Sequence, residues 1–324
     1  MSRIRFVVIV SIVVTIAPCL PARSLTLTNE TLVVDFPLID SEVVATDSTI
    51  QVVSGGSMRS PGCLLGDTCI RLNGRSSLLY DSAETSVVVA EVADTSSILM
   101  RQGTLAGNWD ARIIATESGQ VVVEGGEVQG QIWLSDHSTL TVSGGIIQSL
   151  ESSDESTIRI TGGVFEPNEC CIGSSHLYGS LFEISGGEVI GSHLNIQTDR
   201  TVISGGHFVL SLDNELSLHG DTVISGGQFE DILALAFSGE MLTVVGYDLA
   251  IQDGRLTGIL ADKSPINVAL YADPNNVRLT APVPEPSATL LFAVGLLVSG
   301  SSLRSWGPTR NRLANARPMA DWTR

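Results

Sequence analysis

A single lysine, Lys263, stands in this chain of 324 residues, and its 18 basic residues face 35 acidic ones for a formal net charge of −17. So thin a basic complement excludes a surface built to neutralise a nucleic-acid backbone. Aromatic residues are scarce at 5%, whereas the 43% hydrophobic content is too high for a disordered chain. Five cysteines occur without a Cys-x-x-Cys, which leaves zinc and thioredoxin chemistry unsupported. The Gly-x-Ser-x-Gly motif, the phosphate loop and the dinucleotide fingerprint are also missing. No apolar stripe at spacing three and four appears, so a helical body is a poor reading.

What charge there is lies unevenly. Arg3, Arg5 and Arg23 stand at the front and Arg304, Arg310, Arg312, Arg317 and Arg324 in the tail; residues 24–283 keep ten basic against 33 acidic residues. A body with a net charge near −23 repels anionic lipid and attracts cations. Met1 to Arg5 is short and positive, Phe6 to Ala17 almost wholly apolar, and Pro18 to Ala22 rich in turn and small residues. This is the pattern of a secretory signal peptide over residues 1–23, with Leu20 and Ala22 at the −3 and −1 cleavage positions. An uncleaved anchor is the alternative. Pro18 before Cys19 argues against a lipoprotein.

The body repeats. Gly-Gly pairs fall at Gly55-Gly56, Gly125-Gly126, Gly144-Gly145, Gly162-Gly163, Gly186-Gly187, Gly205-Gly206 and Gly226-Gly227, and from the second pair on they lie about 20 residues apart. Two residues before each pair stand Val53, Val123, Val142, Ile160, Ile184, Ile203 and Ile224. Two residues after it stand Met58, Val128, Ile147, Phe165, Val189, Phe208 and Phe229. Both columns are expected to be buried. The flanking Ser54, Glu124, Ser143, Thr161, Ser185, Ser204, Ser225 and Glu127, Glu188, His207, Gln228 are polar, so strand, glycine bend and strand follow one another with side chains alternating in and out.

The expected fold is therefore all-β: a single-stranded parallel β-helix, right-handed by the crossover rule, of ten or so coils and roughly 45–50 Å long at the inter-strand spacing. Repeats are placed at 50–237, with an N-terminal cap at 24–49 and a C-terminal β-cap at 238–281, because a solenoid must cover its open edges. Between residues 57 and 124, Ser77 to Tyr80, Val87 to Val89, Ile98 to Met100 and Ile113 to Ala115 suggest about three degenerate coils, with a loop carrying Cys63 and Cys69. The calcium signature of β-rolls and the strict hexapeptide period are both absent.

Val283-Pro284-Glu285-Pro286-Ser287 precedes an apolar run, Ala288 to Leu303, and then Arg304, Arg310 and Arg312. This order resembles the PEP-CTERM sorting signal of Gram-negative surface proteins. The resemblance covers about residues 283–312 and implies that an exosortase-type membrane protease reads Pro284, Glu285 and Pro286. It implies too that the helix at 288–303 holds the precursor in the inner membrane and that the arginines stop it on the cytoplasmic side. Sixteen apolar residues ahead of a basic cluster are independently a short, marginal membrane helix oriented by the positive-inside rule. The sorting signal is placed at 282–312 and a basic tail at 313–324; that tail departs from the family, which usually stops just after its basic cluster.

Candidate chemistry is thin. Cys63 and Cys69 are a plausible small-loop disulfide in an exported protein, whereas adjacent Cys170 and Cys171 bridge each other only through a strained ring. The acidic pairs Asp154-Glu155, Glu166/Glu169, Asp213/Glu215 and Glu230-Asp231 are expected in solvated turns. Arg159 and Arg200 are the only arginines between residues 113 and 254, little with which to grip an acidic sugar polymer. His137, His176, His193, His207 and His219 lack metal-ligand spacing, and His219-Gly220-Asp221 lacks the companion acidic motifs of a hydrolase. No catalytic residue, metal site or cofactor is assigned, and calcium is left open without a motif. The reading is a non-catalytic, exosortase-processed surface or matrix protein, inner-membrane bound and then exported to the cell surface or released, with exopolysaccharide as a partner that the resemblance suggests. A polysaccharide lyase or hydrolase and a permanently membrane-tethered β-helix are the alternatives. A groove of converging carboxylates beside Arg159 or Arg200 would favour the enzyme, and a flat Ser/Thr-lined face the structural protein.

Overall fold

The computed structural model describes residues 23–39, 41–59, 70–86, 89–106, 112–166, 174–230 and 234–283. Residues 1–22 of the expected signal peptide, Cys63, Cys69, Cys170, Cys171, Pro284, Glu285, Pro286, the apolar run 288–303, Arg304, Arg310 and Arg312 lie outside the described residues. The fold is an all-β parallel solenoid of about nine turns. Among the described residues there is one short 3-10 turn, Pro274–Asn276, and no helix long and apolar enough to cross a membrane.

Sequences such as Thr-Leu-Thr-Val and Thr-Ile-Arg-Ile make four-residue strands because β-branched residues alternate with polar ones at period two. Gln120–Val123, Thr139–Val142 and Thr157–Ile160 stack in parallel register, so Val121, Leu140 and Ile158 lie over one another inside, as do Val123, Val142 and Ile160. After the glycine bend comes a short second face, where Val128, Ile147, Phe165 and Val189 are stacked and buried. A third face pairs Arg112–Ala115 with 131–134 and then 149–152. Three strands per coil enclose one aliphatic core that runs from Leu27 to Leu270. Each fully buried aliphatic side chain contributes about 1.5–3 kcal/mol, an upper value because unfolded chains already bury some surface.

The bends show why two glycines are required. Gly145 has φ +80, in the left-handed region, and a Cβ on Gly144 would land on the carbonyl oxygen of Glu124 in the preceding coil. The first residue of the pair thus permits coil-to-coil approach, while the second turns the chain.

Two positions depart from the expected columns. Val53 is half-buried and Val52 takes the inner place opposite Tyr80, because the first pair is shifted by one residue and it is Gly55, the first of the two, that has positive φ. Phe229 is also half-buried; its ring stacks on that of buried Phe208 at 5.1 Å just before the closing segment. The other six residues of each column are buried, Met58 among them.

Parallel pairing also runs beyond the Gly-Gly coils. Residues 23–28 and Thr31–Val34, all but Arg23 within the expected N-terminal cap, pair in parallel with Ser41–Thr46 and Thr49–Val52. At the other end, 222–224, 242–244 and Val277–Leu279 continue the first face, with the antiparallel strands Arg255–Leu260 and Pro265–Tyr271 inserted between the last two. The Asp253-Gly254 hairpin has both residues at positive φ, as a two-residue primed turn requires.

Candidate functional site

At the turn between the third and first faces the chain reverses through one left-handed residue per coil. Asp94, Glu117, Asp136 and Asp154 occupy this position in four successive coils, with φ between 55 and 58. Asp tolerates this region better than most residues. Each carboxylate is also used one coil back: Asp94 accepts from the Gly74 N–H at 2.7 Å, Glu117 from Asp94 at 3.1 Å, Asp136 from Glu117 at 3.0 Å, and Asp154 from Asp136 at 3.5 Å. Asp47 does the same forward, accepting from Arg75 at 2.9 Å. The result is an exposed column of carboxylates at the coil spacing of about 4.8 Å.

Two residues after each left-handed position a small residue turns inward. Ser76, Ser96, Ser138 and Ser156 are all buried. The Ser76 hydroxyl donates to the Asn73 carbonyl at 2.7 Å, and that of Ser96 to the Leu72 carbonyl at 3.0 Å. This acid–x–serine rhythm is readable at Asp94-Thr95-Ser96, Asp136-His137-Ser138 and Asp154-Glu155-Ser156, but the Gly-Gly alignment passes over it.

The first face carries hydroxyls outward. Thr31, Thr49, Ser77 and Ser97 stand in one registered column, and Thr139 and Thr157 extend it past Gln120. The Ser77 hydroxyl donates to Thr49 at 3.2 Å. Charges outside the turn column pair along the axis: Arg71 with Glu91 at 2.9 Å, Arg101 with Glu124 at 3.1 Å, and Arg159 with Glu183 at 3.1 Å, each Arg reaching one coil forward. His207 lies between Glu188 and Glu230, 3.3 Å from each, and its buried Nε2 makes no hydrogen bond.

Glu169, Asp231 and the side chain of Asp213 lie outside the described residues, and the described members of the acidic pairs singled out in the sequence do not converge. Asp154 belongs to the turn column, Glu155 meets His137 at 2.9 Å, Glu215 accepts from the Ser217 hydroxyl at 2.8 Å, and Glu166 is exposed. Arg200 is exposed on the first face. His219, in the strand Glu188–Glu230, has its Nδ1 2.6 Å from the Ser238 hydroxyl, and no described hydrogen bond joins its ring to a carboxylate. Among the described residues no group of three or more His, Cys, Asp or Glu side chains is placed to hold a metal ion.

Among the described carboxylates one differs from the rest. Asp262, between the two inserted antiparallel strands, accepts from the Gly227 N–H at 2.7 Å, from the Ser264 N–H at 2.9 Å and from the Ser264 hydroxyl, while its own N–H donates to the Ser225 carbonyl at 3.1 Å. Burial pushes its carboxyl up, but the hydrogen bonds from Ser264 and Gly227 outweigh that and hold it below the ordinary carboxylate value. It therefore closes the last glycine corner in place of another coil. No protein-family model, curated protein or solved structure matches the chain.

Proposed function

We propose that this chain is an exported, exosortase-processed surface or extracellular-matrix protein whose right-handed β-helix acts as a stiff, non-catalytic, adhesive module. The observation that carries the reading is that its surface groups repeat along the axis and bond to the next coil, where a catalytic centre needs unlike groups converging on one point. The carboxylate column and the hydroxyl face offer many equivalent contacts rather than one pocket. Their negative field draws divalent cations, which would bridge copies of the chain or bind it to anionic exopolysaccharide. The positive-apolar leader and the order Pro284-Glu285-Pro286, apolar run and arginines supply the route: the inner membrane first, then cleavage and release or surface display.

Intact mass and C-terminal peptide mapping of the native protein, in cells with and without the exosortase, test this route. Loss of everything beyond about Pro286 only when the protease is present supports it. An intact Arg324 in both would sink it and leave a permanently membrane-tethered β-helix.

A further inference from the structure

Charge is divided sharply along the solenoid. Residues 24–240 hold seven basic and 29 acidic residues; residues 241–283 hold Arg255, Lys263 and Arg278 against Asp248, Asp253, Asp262 and Asp273. The coils are thus strongly anionic and the closing segment almost neutral. The closing segment also exposes an apolar row. Tyr247 pairs with Ile259 and Ile259 with Pro265 across three antiparallel strands. Residues directly opposite one another project to the same side of a sheet. Tyr247 is 50% and Ile259 41% exposed, Pro265 is exposed, and their neighbours Leu260 and Ile266 are buried in the core behind them.

The chain leaves the solenoid beside this row. Thr280 lies opposite Val245, two residues from Tyr247, and the compact unit ends at Pro282. Ala288, where the apolar run begins, is six residues further on, a reach of about 20 Å at most. A tether that short keeps the closing segment within reach of whatever the run enters.

We propose that Tyr247, Ile259 and Pro265 form a lipid-contact face that rests on the bilayer surface while the precursor is anchored; this builds on the anchoring reading above. Tyrosine is suited to the headgroup level, where its ring is apolar and its hydroxyl wet. An aliphatic and a proline beside it add apolar area without a charge to desolvate. Lys263, exposed in the loop between Ile259 and Pro265, carries the sign that anionic lipid attracts, while its neighbour Asp262 is engaged by the Gly227 and Ser264 N–H groups. The anionic coils are repelled by that lipid, so the solenoid is held with its closing segment toward the membrane.

The test uses the full chain in phosphatidylethanolamine–phosphatidylglycerol vesicles doped with a photoactivatable lipid, with adducts located by peptide mapping. Adducts are expected on peptides covering 247–265 and 288–303 and not on 120–165. In Tyr247→Ser/Ile259→Ser, whose changes lie on the outer face and whose fold is checked by circular dichroism, the 247–265 signal should fall about fivefold with the lost interfacial area, and the 288–303 signal should persist. Ile259→Ser alone serves should the double variant misfold. Adducts confined to 288–303 overturn the contact and leave the anchor standing. Labelling of 247–265 that the substitutions leave unchanged also overturns it, because tethering alone would then account for proximity. A chain that stays in the supernatant with no adducts removes the anchoring reading and this proposal together.

Discussion

The glycine coils from Gln120 to Phe165 and the closing segment from Leu242 to Thr280 face the same requirement, a partner for every backbone group at a strand edge, and meet it differently. In the coils the partner is the next coil: Ser143 donates to Val123, Thr161 to Val142, and Val164 to Gly145, each within 3.0 Å. In the closing segment a side chain and a reversed pair of strands stand in for it, with Asp262 on Gly227 and Arg255–Leu260 antiparallel to both its neighbours. Repetition lets one rule serve many coils, but it also means that a misfit at one level is felt at the next. A single-use cap is free of that constraint and depends instead on a few particular residues.

The largest effect should come from the coil interior. Phe208→Ala removes a fully buried ring that stacks on Phe229 and should cost about 3–5 kcal/mol in denaturant unfolding. A loss under about 1 kcal/mol would mean that neighbouring coils collapse onto the gap, and that the stack is looser than its register implies. Next comes a matched glycine pair. Gly144→Ala drives a Cβ onto the Glu124 carbonyl, which is backbone and must shift, so about 2–3 kcal/mol is expected. Gly254→Ala in the closing hairpin has φ +72 but nothing within 4 Å of the new Cβ, and only the left-handed cost of about 1–2 kcal/mol applies. Equal losses would break the contrast between the two regions.

Asp262 sharpens the contrast through pH. Its folded carboxyl sits below the ordinary aspartate value of 3.8, so its contribution is complete above that value and disappears as pH falls through the lower folded value. Asp262→Ala should leave the Gly227 N–H unpaired at a cost of about 1–2 kcal/mol at pH 7. The charge-linked part of its deficit against the wild type should shrink below about pH 4 and be absent once the carboxyl is protonated in both the folded and unfolded states, leaving what the neutral carboxyl contributes. A deficit independent of pH would show that packing, rather than charge on this carboxylate, closes the corner.

The coils were legible because glycine and β-branched residues repeat at a fixed distance, and each column position has one physical reason to be what it is. Val123, Val142, Ile160 and their partners are buried as the alternation implies. The shift at Val53 was hidden because Gly55-Gly56 looks like the other pairs; only the opposition of Val52 to Tyr80 sets its register. The acid turn column escaped because Asp94, Glu117, Asp136 and Asp154 read one at a time as ordinary solvated acids. Their shared role is a backbone conformation that spacing does not spell. Asp262 was harder still, since its partner Gly227 is 35 residues away and no repeat points to it.

The smallest effect belongs to the axial ion pairs, and it tests whether the coils need side-chain bonds at all. Arg159 and Glu183 meet at 3.1 Å with about half of each side chain in solvent. Such pairs are typically worth about 0.2–1 kcal/mol, and salt screens them. Arg159→Gln keeps most of the stem over the strand, so the change in unfolding midpoint should fall in that range at low salt and vanish in molar salt. The backbone ladder beneath already fixes Thr157–Ile160 against 181–184, which leaves the pair little register to set. A loss above about 2 kcal/mol that survived salt would place the pair among interactions the register depends on. The coils would then rely on particular side chains as the closing segment does on Asp262, and the division between a repeated rule and a single-use cap would no longer hold.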